Sequence, residues 1–91
     1  MNVRWWRIAI VYEDDGAPHT WTFHVRALTE KRALGLVTDR VERDDFGVIG
    51  CHPSEPLPTA KQTDEIVADW GPYRRSWDDP TISHLRALLE T

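Results

Sequence analysis

The sequence predicts an α+β domain, a small three-stranded, mostly antiparallel sheet of strand order 2-1-3 within a ββαβαα arrangement. Three observations predict it. Two period-two runs are joined by an Asp-Gly turn, a capped run at helical spacing follows, and a short glycine-punctuated apolar run comes after that.

Val3 to Tyr12 reads as the first strand, with Trp6, Ile8, Ile10 and Tyr12 on one face and Trp5, Arg7, Ala9 and Val11 on the other. Apolar groups on both faces suit a central strand. Glu13-Asp14-Asp15-Gly16-Ala17-Pro18 is the turn, where Asp-Gly supplies the positive-φ signal. His19 to Ala27 is the second strand: Trp21, Phe23 and Val25 point one way, and Thr20, Thr22, His24 and Arg26 the other. Thr29 is the expected N-cap of a helix running to about Arg43, with Glu30 in the first turn, where the helix dipole favours a carboxylate. Ala33, Leu34, Val37 and Val41 form its apolar stripe. Phe46 to Cys51 reads as the third strand, placed parallel to the second with the first between them.

Pro53, Pro56 and Pro58 mark residues 53–58 as an extended proline-rich linker inside a single domain spanning residues 1–91. A second helix is expected from about Thr59 to Trp70, stopped by Gly71-Pro72. Asp79-Pro80 opens a final helix with Ile82, Leu85, Leu88 and Leu89 as its stripe. The first helix covers one sheet face, and the C-terminal helices are candidates for the other.

Bulk properties narrow the function classes. With 91 residues, 41% hydrophobic and 29% charged, the chain makes one small core. Five tryptophans exceed what such a core encloses, so at least one is expected at an interface or groove, and a homodimer or protein partner would supply part of the burial. One cysteine permits no internal disulfide, and no apolar run approaches a membrane span, so a cytoplasmic location with no membrane contact is the expectation. Nine arginines against two lysines point to a GC-rich bacterial or phage genome, and a mobile-element origin accompanies that reading. The net charge is −4, and the acid lies mainly in the second half: residues 41–91 carry ten acidic groups against five basic ones. That balance counts against wholesale nucleic-acid binding and leaves room for a local basic patch in the first half.

No nucleotide-binding or catalytic motif is present. Cys51-His52 invites a thiol reading, but adjacent strand residues point to opposite faces, so Cys51 is read as a small buried apolar residue. One cysteine and four scattered histidines give no zinc spacing, and no metal or cofactor is expected.

Two segments carry the functional reading. In Arg4-Trp5-Trp6-Arg7, Trp5 and Arg7 join His24 and Arg26 of the neighbouring strand on one sheet face. The bland alternative has the C-terminal helices covering that face, with Trp5 packed beneath and Arg7 reaching solvent. In the second segment, Trp70, Tyr73, Arg74, Arg75 and Trp77 crowd a loop between helices, and these residue types are enriched at interface hot spots. Its bland alternative anchors Trp70 and Trp77 on the domain and pairs Arg74 and Arg75 with Asp78 or Asp79. The resulting order of hypotheses is a non-enzymatic protein-binding accessory, regulatory or inhibitor module, then a nucleic-acid binder using the sheet face, then a small enzyme centred near Cys51 or His24.

Overall fold

The computed structural model describes residues 3–55, 65–80 and 82. Its elements are β1 (Arg4–Asp14), β2 (Ala17–Ala27), α1 (Glu30–Val41), β3 (Gly47–Ser54) and β4 (Ile66–Arg74). They build one four-stranded antiparallel sheet of order β3-β1-β2-β4. The expected 2-1-3 arrangement survives inside it, with β1 flanked on both sides.

Asp15 and Gly16 both take positive φ, 56° and 73°. That is the backbone a two-residue hairpin needs to match the twist of its strands. The β1–β2 register then runs without a break from Asp14↔Ala17 to Arg4↔Ala27. Because the side-chain period is two, this register fixes the faces. Trp6, Ile8, Ile10 and Tyr12 lie beside Phe23, Val25 and Ala27, and α1 lays Ala33 and Val37 over them. Ile8, Ile10, Phe23, Val25, Ala33 and Val37 are all fully buried. The one indole inside this core is satisfied, as Trp6 Nε1 donates to the Ala27 carbonyl at 3.1 Å.

Thr29 caps α1 as the sequence predicts. It sits in extended backbone, and its hydroxyl accepts from the Arg32 N–H at 3.1 Å. The helix ends at Val41, because Glu42 turns left-handed at φ 60° and returns its N–H to the Thr38 carbonyl. Arg43 thereby leaves the helix and lays its guanidinium 4.3 Å over the Tyr12 ring.

Three expectations need correction. β3 is longer than its apolar run and includes Pro53, the first residue of the supposed linker. A proline without a donor is tolerated there because β3 is an edge strand. Pro56 and Pro58 lie outside the described residues.

The second correction concerns the helix expected over Thr59 to Trp70. Its first part, residues 59–64, lies outside the described residues, but Ile66–Trp70 is strand, the start of β4. The edge of β2 that faces away from β1 offers a row of unpaired backbone groups, and β4 takes it from Val25↔Ile66 to His19↔Arg74. Pairing across a distance overrides a local pattern that two β-branched residues already weakened.

Third, the segment Trp70–Arg74 is consequently sheet edge and not a loop between helices. Beyond it the chain turns and Pro80 and Ile82 take helical backbone; the rest of the expected final helix, with Leu85, Leu88 and Leu89, falls outside the described residues. Ile82 is 2% exposed and packs with Val11 and Ile49, so one end of the second sheet face is covered.

Candidate functional site

The face turned away from α1 can be read row by row from the register. One row is Ser54–Trp5–Arg26, the next His52–Arg7–His24–Ala68, and the third Gly50–Ala9–Thr22–Trp70. Side chains opposed in this way stand roughly 5 Å apart at Cβ, so each row is a contact row. Five residues singled out in the sequence therefore come together: Trp5, Arg7, His24, Arg26 and Trp70. Trp70 arrives only because β4 is a strand.

The cluster is knit by cations over rings. Arg7 lies 5.9 Å from the Trp70 ring and Arg26 lies 5.8 Å from Trp5. Trp5 in turn meets the His24 imidazole edge-on, at 5.4 Å and 80°. Trp70 remains 41% exposed, whereas Trp5 is half-buried. The acids of β1–β2 and of the region around α1 lie elsewhere. Glu13, Asp14 and Asp15 sit at the hairpin turn, and Asp69 is on the α1 side, where it accepts from Trp21 Nε1 and meets Arg40 at 3.6 Å. Among the described residues the three rows hold no carboxylate, so a chain of net charge −4 presents a locally positive face.

His24 is the anomaly. It is 5% exposed, and its Nε2 has no hydrogen-bond partner. Burial pushes its pKa below the usual imidazole value, a backbone contact with Glu55 works the other way, and Arg7 lowers it further. The ring is thus held neutral on a face made of cations.

The remaining sequence-predicted residues divide. Tyr73 lies opposite Thr20 on the same face and is 50% exposed. Arg75 clamps the chain after β4 to β2: its N–H donates to the Pro18 carbonyl, its Nε donates to Thr20 Oγ1 at 2.9 Å, and its guanidinium sits 5.5 Å over Tyr73. Arg74 falls opposite His19, whose ring stacks on Tyr12, so the register places it on the α1 side, away from the cluster. Trp77 donates from Nε1 to the Gly16 carbonyl at 2.8 Å, which ties it to the hairpin turn. Below the cluster, the small residues Ala9 and Thr22 line a hollow of about 290 Å³ together with Arg75, Asp79 and Ile82, so among the described residues an acid enters the face only at this end.

His52 is the residue the sequence reasoning passed over. In the sequence the signal for it is the alternation Gly50, His52, Ser54, which puts it beside Arg7. Its ring leans over Gly50, where an added Cβ would meet Nε2 at 3.0 Å. Cys51 packs against the core on the other face, and burial, with Glu30 adding to it, raises its thiol pKa. Both effects disfavour the thiolate a nucleophile requires. Among the described residues no three His, Cys, Asp or Glu side chains converge as a metal site, and no helix is long and apolar enough to cross a membrane. Compared with known proteins, the chain matches no family model, no curated protein and no solved structure.

Proposed function

We propose that the chain is a non-enzymatic protein-binding module of the accessory or regulatory kind, and that its docking surface is the open face around Trp5, Arg7, Arg26 and Trp70. The observation that carries this reading is the arginine laid across Trp5 and across Trp70, in rows that hold no carboxylate among the described residues. Tryptophan and arginine are the residue types that dominate binding energy at protein interfaces. Here they are interleaved, half-exposed and already ordered by one another, which lowers the entropy a partner must overcome.

The face supports the reading better than the edges do. β4 carries Pro72, which lacks a donor, and its pairing with β2 slips twice. β3 carries Pro53, and a register shift interrupts its pairing with β1. Such features blunt an edge against strand addition.

The test is capture of a partner from an extract of the cells that express the chain, using the immobilised domain. Trp70→Ala and Arg7→Ala lose the captured protein, while Arg74→Ala, on the opposite face, keeps it. Equal capture by all three sinks the proposal.

Single-stranded nucleic acid is the second reading, favoured by the positive sign of the face. It ranks lower because base stacking needs a free indole face, and one face of each indole is already occupied by a guanidinium. Titration with oligonucleotides, followed by indole fluorescence, separates the two. Saturable quenching that weakens steeply with salt supports nucleic acid; a flat response removes it.

A further inference from the structure

We infer that the row His52–Arg7–His24 is an anion site through which the docking face takes a carboxylate side chain of its protein partner. The inference rests on the docking reading above and names the chemistry of the group received.

Three strands each contribute one basic side chain to this row, Arg7 being the register partner of both histidines. Among the described residues Arg7 forms no ion pair and no hydrogen bond; the Trp70 ring alone steadies it. Arg7 is exposed, so its guanidinium is open to an anion arriving from solution. Next to it lies a buried imidazole whose Nε2 has no partner. An orphaned buried polar atom is costly, and a native structure that retains one leaves a hydrogen bond to be completed.

The surroundings of His24 suit an anion as the missing partner. From β1 it is faced by Trp5 and Arg7, along its own strand by Arg26, and from β4 by Ala68, with His52 beyond Arg7. Glu55 meets it through the backbone. No side chain in this set accepts a proton bond from the imidazole while opposing the arginine charge. A carboxylate seated on Arg7 does both. It neutralises the arginine and offers an oxygen to Nε2–H once Arg7 and the ring adjust around it. His24 then takes one proton from solvent as the complex forms, and the carboxylate remains ionised. Binding and protonation are reciprocal, so affinity rises as pH falls through the His24 titration, by up to about tenfold per pH unit for one proton.

Acetate serves as the probe, against chloride at matched ionic strength, with the His24 and His52 ring signals followed by NMR from about pH 8 to pH 5. The expected result is a higher titration midpoint for His24 in acetate, and loss of that difference in Arg7→Gln. Arg7→Lys, which keeps the charge without the planar fork, restores part of it. An unchanged His24 midpoint in a folded domain overturns the anion site. A short oligothymidylate that quenches Trp5 and Trp70 without moving His24 overturns the carboxylate assignment in favour of nucleic acid. If the acetate shift is present while partner capture is indifferent to Arg7→Gln, the anion site stands and the docking reading fails.

Discussion

Phe23 and His24 are neighbours in β2, both withdrawn from solvent, and they sit on opposite faces of one sheet. Phe23 is fully buried among Ile8, Val25 and the Trp21 ring, which lies 4.9 Å away. Every group it touches gains from the exclusion of water. His24 is buried almost as deeply, among arginines and an indole edge, with a ring nitrogen unanswered. The α1 face is complete within the chain. The open face is ordered but chemically unfinished, and that difference is why the proposed docking surface is placed there.

Substitutions that break the comparison differ in size according to the face they touch. Phe23→Ala removes a wholly buried ring and should cost about 3–5 kcal/mol in urea unfolding. Gly71→Ala comes next. Gly71 has φ 129°, and an added Cβ would lie 2.8 Å from the Thr20 carbonyl oxygen, so the β2–β4 pairing must shift. A loss of roughly 1–3 kcal/mol is expected, together with a change in the Trp70 environment visible by fluorescence. Thr29→Ala deletes the N-cap of α1 and should cost about 1 kcal/mol without touching the open face.

Acidity sharpens the contrast further. His24 is depressed below its ordinary pKa of 6.5, so the folded state releases its proton more readily than the unfolded chain. Its contribution to stability is complete above pH 6.5. It is lost progressively as pH falls from there to the folded-state pKa, because the unfolded chain binds the extra proton. Unfolding measured from pH 8 downward should show this decline, and His24→Phe should flatten it. Trp70→Ala is the smallest effect on stability, within about 0.5 kcal/mol, because the side chain stands at the surface. A much larger loss would mean that the open face holds the fold together after all.

The same contrast explains what could be read in the sequence. The hairpin, the capped helix and the division of β1 and β2 into two faces follow from period two, an Asp-Gly turn and a threonine cap, all of which are local signals. β4 was hidden because Ile66–Trp70 before Gly71-Pro72 resembles a helix reaching its stop, and only the vacant edge of β2 decides otherwise. The site was half legible. Trp5, Arg7, His24 and Arg26 share a face by alternation alone, while Trp70 needed β4, and His52 needed the β1–β3 register. Arg74 and Trp77 were grouped with the site by their closeness in sequence, and the register and the bond to Gly16 separate them from it.

The five tryptophans divide as the account requires, with Trp5 and Trp70 on the open face, Trp6 and Trp21 on the α1 face and Trp77 at the hairpin turn. Their indole N–H signals, recorded by NMR with and without the captured partner, therefore report which face is occupied. The account predicts that Trp5 and Trp70 move while Trp6 and Trp21 stay. Movement of Trp6 and Trp21, with Trp5 and Trp70 unchanged, would contradict it.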